Sequence, residues 1–274
     1  MDYREFAPLP SLQPLVRCYW TLNADGAQSD RDPEPALPDG SPELIFNFGD
    51  PFHAIHADGS ASQQPLLMLV GQITGPFTVA PTGRMDLIAV RFRPHGATLV
   101  CDDLGAITDT WADGATLPTQ GLTALYDRLR STPNVNARVT LLDAWLSECV
   151  RLRPTLDPSV AAAVAAIEDS HGTVSLDALA TTLGCSLRQL QRRFAVQVGI
   201  APKLLARIRR FQRVFCTSRE EPSSLACVAA ECGYFDQSHL IRDFRDFAGQ
   251  APAAFLANQP EFTQLFLPTK PPEV

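Results

Sequence analysis

GCSLRQLQRRFAVQVGIAP (184–202) and AAECGYFDQSHLIRDFRDFAGQAPAAF (229–255) are one helical unit written twice. Leu190, Arg192, Phe194, Gly199, Ala201 and Pro202 recur fifty residues on as Leu240, Arg242, Phe244, Gly249, Ala251 and Pro252. Upstream the offset is forty-nine, pairing Leu176, Ala180 and Gly184 with Leu225, Ala229 and Gly233. The one-residue slip falls between two helices, where an insertion disturbs no ladder of hydrogen bonds. Each copy therefore reads as helix–turn–helix.

In the first copy, Leu176, Leu179, Ala180 and Leu183 make an apolar stripe. Gly184 supplies a left-handed turn, and Ser186 with Gln189 completes an S-x-x-Q capping box on the next helix. Leu187, Leu190, Phe194 and Val198 point inward there, leaving Arg188, Gln191 and Arg192 on the opposite face. In the second copy Asp236 takes the cap position, and Gln237, Ser238, His239 and Arg242 face outward. Arg and Gln pair bidentately with guanine and adenine edges, and residues near a recognition helix N-terminus are those that reach bases. Arg and Gln on a single helix face commonly make no more than a solvated surface. The same register in two copies favours DNA. Pro202 starts a long helix to about Thr217 with Arg207, Arg209, Arg210 and Arg213 off its apolar side. At roughly 24 Å, this strut suits two recognition helices aimed at grooves ~34 Å apart. Arg193, Arg207, Arg209 and Arg210 are the expected phosphate contacts.

Net charge of −7 over 274 residues argues against nucleic acid only if charge is averaged. Residues 186–213 hold eight basic side chains and no acidic one, and a local patch is what phosphates meet. No apolar run reaches membrane-spanning length and no signal-peptide pattern opens the chain, so a cytoplasmic protein is expected. The seven cysteines include no C-x-x-C pair, which fits small buried hydrophobes in a reducing compartment.

Residues 1–105 read as β-rich, with strands at Leu15–Leu22, Glu43–Phe48, Leu66–Ile73 and Met85–Phe92 and a sheet or small barrel with one apolar side. An exposed loop is expected at 25–40. Helical periodicity begins near Gly121, and two helices within 121–152 are a linker or a dimerisation surface. The expected organisation is α+β in two domains: a β-rich sensor domain (1–154) with a helical end, then an all-α double helix-turn-helix domain (158–257), then a Pro-containing tail (258–274).

The two quoted strings resemble the DNA-binding domain of the AraC/XylS family of bacterial transcription regulators, above all its G-[FY]-x-D-Q-S-H-[FL]-x-R-x-F-[KR] signature. The resemblance covers about 165–256. It implies that Arg188, Gln191 and Arg192, and in the second unit Gln237, Ser238, His239 and Arg242, face bases or adjacent backbone. An activator that contacts RNA polymerase is expected, with a repressor the alternative. Phe235 departs from the small or polar residue usual at its place. LPDGSPELIFNFGD (37–50) and VRFRPHG (90–96) resemble an uncharacterised sensor-type domain attached to such regulators, implying a small-molecule effector but no particular ligand.

The competing reading is a metal-dependent enzyme in the β domain, with His53, His56, His95 and Glu43 as ligands. His53-x-x-His56 falls in an expected loop and makes no recognised set; no metal, cofactor or catalysis is expected. Trp20, Phe46, Phe48, Phe77 and Trp111 are candidates for an apolar pocket or plain core. Arg91 and Arg93, on one strand face, either hold an anion or meet solvent. A homodimer through 121–152 is compatible with the regulator reading.

Overall fold

A computed structural model describes residues 1–24, 33–56, 58–153, 157–217, 224–257 and 261–267. The N-terminal half contains β1 (Asp2–Phe6), β2 (Val16–Ala24), β3 (Glu34–Ala36), β4 (Glu43–Asn47), β5 (Phe52–Ile55), β6 (Ala61–Gln63), β7 (Leu67–Val70), β8 (Phe77–Pro81), β9 (Met85–Phe92) and β10 (Trp111–Asp113). They form a six-stranded sheet, β1-β2-β9-β4-β7-β10, and a four-stranded sheet, β3-β8-β5-β6, all pairings antiparallel. Neither closes into a barrel among the described residues.

The larger sheet is apolar on both faces, not on one. Along β9, Ile88, Val90 and Phe92 enter one cluster while Met85, Leu87 and Ala89 enter another. The period of two sends alternate side chains to opposite faces, so a nearly continuous apolar strand means that both are covered. The smaller sheet covers one face through Phe52 and Val79. The other is covered by α1 (Leu122–Ser131) and α2 (Val135–Leu152), whose Leu122, Leu125, Leu129, Leu142 and Leu146 share a core with Phe46 and Phe92. These helices, expected as a linker or dimer surface, spend their apolar stripes inside the first domain. Part of the expected loop at 25–40 is strand β3; residues 25–32 lie outside the described set.

The C-terminal half comprises α3 (Pro158–Asp169), α4 (Leu176–Thr182), α5 (Leu187–Gln197), α6 (Pro202–Thr217), α7 (Leu225–Glu231), α8 (Gln237–Ala248), α9 (Pro252–Ala257) and α10 (Glu261–Phe266). Here the sequence reading carries over closely. Ser186 and Gln189 form the reciprocal capping box, and Asp236 accepts from the His239 amide. Gly184 and Gly233 adopt φ of +67° and +78° at the two turns, a region closed to most L-residues by their Cβ. The core is aromatic: Phe211 of α6 lies 5.1, 5.0 and 5.2 Å from Phe215, Phe244 and Phe247.

Part of the expected tail, residues 261–267, is described. Within α10, the Thr263 amide donates to Glu34 Oε2 at 3.1 Å and its hydroxyl to the Pro35 carbonyl at 2.7 Å. Phe266 packs with the β domain while its neighbour Leu267 enters the helical core. Two consecutive side chains thus tie the halves together.

Candidate nucleic-acid interface and sensor pocket

The recognition faces of α5 and α8 are open. Arg188, Gln191 and Arg192 are exposed on the first, and Gln237, Ser238 and Arg242 on the second. His239 is half-buried, its ring edge-on to Tyr234 at 5.2 Å and its Nε2 4.0 Å from Asp243. Phe235, just ahead of the Asp236 cap, is 94% exposed and is the most exposed large apolar side chain among the described residues. Its departure from the family pattern was visible in the sequence, but its exposure was not, because the turn alone does not say which way residue 235 points.

The three expected phosphate contacts on α6 have partners within the protein. Arg207 donates to Asp243 at 2.7 Å and Asp246 at 2.6 Å and lies over the Phe247 ring. Arg209 is almost enclosed, bound to Glu168 Oε1 at 2.8 Å and to the Asp39 carbonyl at 2.9 Å. Arg210 donates to the Gly172 carbonyl at 2.7 Å and sits over Tyr234. All three brace α6 against its neighbours. The acidic residues of the second unit have the same origin: Asp236 caps α8, while Asp243 and Asp246 receive Arg207. Arg193 remains partly exposed, 3.3 Å from Asp157.

Glu168, on α3, is the electrostatic hub between the halves. Its buried carboxylate takes Arg17 at 2.5 Å and Arg93 at 2.9 Å from the β domain, and Arg209 from α6. Burial disfavours its charge, yet Arg17, Arg209 and Arg93 together hold the carboxyl below its ordinary range. With three cations on one anion, burial and the neighbouring Arg17 pull Arg209 down to about 10. Arg93 therefore meets a carboxylate of the other domain while its side chain stays partly open to solvent. Further contacts join the halves: Gln212 of α6 donates to the Pro38 carbonyl, and Thr108 donates to the Gly199 carbonyl at 2.7 Å.

Between the sheets lies a cavity of about 130 Å³. Trp20, Phe52, Phe77 and Leu87 contribute apolar wall, and Gln212 and Phe266 arrive from the helical half. Of the aromatic candidates, Trp20 and Phe77 line it. Phe46 and Phe48 face the opposite core, and Trp111 stacks edge-on against Phe77 at 6.3 Å. At the polar end Arg91 Nε is 2.7 Å from Glu43 and 3.8 Å from Asp39, and Nη1 is 3.4 Å from Glu5. Burial pushes the Glu43 carboxyl up, opposed chiefly by Arg91. Burial likewise works against the Arg91 charge, but Glu43 and Asp39 prevail and raise it.

The metal candidates do not converge. Glu43 is held by Arg91 and Trp20, His56 pairs with Ser62, His53 lies opposite Gln63, and His95 is buried elsewhere. Among the described residues no group of three His, Cys, Asp or Glu is placed to hold a metal ion. Burial pushes the Cys18 thiol up to about 12 and Cys149 up to about 11, as expected of packing residues, not reactive thiolates. No helix among the described residues is long and apolar enough to cross a membrane.

With this geometry in place, comparison with known proteins is informative. Residues 179–258 match a helix-turn-helix domain family, and residues 4–110 match a domain of unknown function, DUF6597. No curated protein matches the chain. ToxT from Vibrio cholerae O395 is 10% identical, covering 87% of this chain and 97% of its own, with a TM-score of 0.47. ToxT from the same strain bound to (E)-4-(8-methylnaphthalen-1-yl)but-3-enoic acid is 8% identical, covering 94% and 99%, at 0.48. Unsaturated fatty acid bound wild-type ToxT from Vibrio cholerae strain SCE256 is 9% identical, covering 93% of each chain, at 0.44. The C-terminal half carries a helix-turn-helix domain over residues 179–258. The chain thus joins this helix-turn-helix domain to a DUF6597 domain that precedes it.

Proposed function

We propose that the protein is a transcription activator that places α5 and α8 in successive major grooves of one DNA face, under the control of a non-enzymatic sensor domain. The observation that carries this reading is the pair of open polar faces, in matching register, fixed to the common strut α6. Arg188, Gln191 and Arg192 meet one half-site; Gln237, Ser238, His239 and Arg242 meet the other. Arg193, whose ion pair with Asp157 is partly exposed, exchanges that carboxylate for a phosphate. Phe235 joins the second set, since an exposed apolar side chain beside a recognition-helix N-terminus suits the thymine methyl group.

Control follows from contact. The cavity shares Gln212 and Phe266 with the helical half, and Glu168 joins both halves, so a ligand that shifts the β domain strains the strut between the recognition helices. Activation then requires RNA polymerase as a second partner. Any homodimer built on 121–152 uses the outer faces of α1 and α2, because their inner stripes are buried.

Footprinting on duplexes selected from a random pool tests the reading. Two protected patches centred about 10 base pairs apart on one face are expected of a monomer. One patch, or salt-insensitive binding without sequence preference, would sink it. Light scattering of the complex decides between one chain and two.

A further inference from the structure

The cavity holds an imbalance of charge that bears on its ligand. One guanidinium, Arg91, is surrounded by Glu5, Asp39 and Glu43 and is capped by the Phe266 ring, 5.3 Å from its carbon. Among the described residues, the charged side chains that line the cavity are the acidic Asp39 and Glu43 and the basic Arg91. A ligand carboxylate would find Arg91 already matched by Glu43, with Asp39 and Glu5 beside it. A cation or a strong donor would find Asp39, which remains partly exposed.

A second observation points the same way. Ser41 lines the cavity, is 8% exposed, and its hydroxyl oxygen is buried without a hydrogen-bond partner. A buried polar group left unsatisfied is costly, and this one adjoins Asp39, whose Oδ1 accepts from the Ser41 amide at 2.8 Å. The unmatched hydroxyl and the carboxylate lie side by side at the cavity wall.

Size narrows the class. A dry apolar cavity of ~150 Å³ holds benzene, so about 130 Å³ accepts one ring or a short branched chain.

Building on the sensor reading above, we propose that this pocket binds a small apolar amine, its ring or chain among Trp20, Phe52 and Leu87 and its protonated nitrogen at Asp39 and Ser41. The ligand's charge restores balance around Arg91 and gives the Ser41 oxygen a donor.

The test uses the full chain and a matched pair of probes, phenethylamine and phenylacetate, at neutral pH. Phenethylamine is expected to raise the melting temperature with concentration, as any ligand of the native state must, and phenylacetate is not. Titration calorimetry of Asp39→Asn, which keeps the acceptor for the Ser41 amide, is expected to show amine binding weakened at least about tenfold. Stabilisation by phenylacetate as strong as by the amine overturns the proposal. So does the absence of stabilisation by either probe, or an Asp39→Asn protein that binds the amine as well as the parent does. DNA affinity measured with and without the bound amine addresses a separate matter. An amine that binds but leaves DNA affinity unchanged sinks the sensor reading and leaves the pocket assignment standing.

Discussion

Arg192 and Arg209 are both arginines of the basic segment, and the structure gives them opposite work. Arg192 is open to solvent, so Arg192→Ala, like Arg242→Ala, is expected to relax base preference by roughly 1–3 kcal/mol in competition gel shifts. Arg209 holds the buried Glu168 carboxylate, and removing one partner from a buried pair typically costs about 3–5 kcal/mol. Because Arg17 and Arg93 stay on Glu168, Arg209→Ala should fall at or below the low end of that range. It should appear as a lower melting temperature, not as a shallower salt dependence of DNA binding. At Phe235, replacing thymine by uracil in the second half-site removes a single methyl group. The parent protein should lose affinity on that change and Phe235→Ser should not; equal losses in the two would place Phe235 away from the thymines. None of these distinctions is written in composition. An arginine at a helical register position has a face, but whether that face meets water or a carboxylate from 41 residues upstream depends on the fold.

At the scale of elements, the helical half was legible because its signals are local. The Ser186–Gln189 capping box, the glycines at 184 and 233 and the stripe of α6 all lie within a few residues of what they specify. Ser186→Ala should therefore cost about 1 kcal/mol in a denaturant melt, since one orphan amide of α5 loses its acceptor. Gly172→Ala should cost more: φ there is +80° and a Cβ would stand 2.0 Å from the Ala206 carbonyl oxygen of α6. The strands were legible where long or strongly apolar. β2, β4, β7 and β9 match the four expected segments to within a few residues, while the short and more polar β1, β3, β5, β6, β8 and β10 escaped. Strands of three to five residues carry little periodicity, and those on sheet edges take their stability from partners distant in sequence. The covering of both faces was missed for a related reason: β9 alternates between two cores, and a strand apolar on both faces shows no polar side to betray the second layer.

For the whole molecule, the halves are joined through ionisable and buried groups, and this makes stability depend on pH. Burial holds His95 down to about 4 from its ordinary 6.5. The unfolded chain therefore binds a proton between those values that the folded one refuses, and stability falls as pH drops from 6.5 to 4, by roughly 3 kcal/mol. Glu168, held below its ordinary value, contributes stability above that value and loses it as pH falls through its folded one. Acid titration of the melting temperature should thus decline through the histidine range and fall again below the carboxylate range, and His95→Asn should flatten the first decline. By itself the sequence determined the doubled helix–turn–helix, the caps and turns that build it, the outward faces of α5 and α8 and the strands β2, β4, β7 and β9. Each of these follows from contacts within one or two helical turns or from a strand's own alternation. Only the tertiary structure decided that α6 arginines are braces, that α1 and α2 belong to the first core, that α10 straps the halves, and that Asp39, Ser41, Glu43 and Arg91 share one cavity with Gln212. Those outcomes depend on pairings across tens to more than two hundred residues, where burial and charge balance are set by neighbours that no local pattern names.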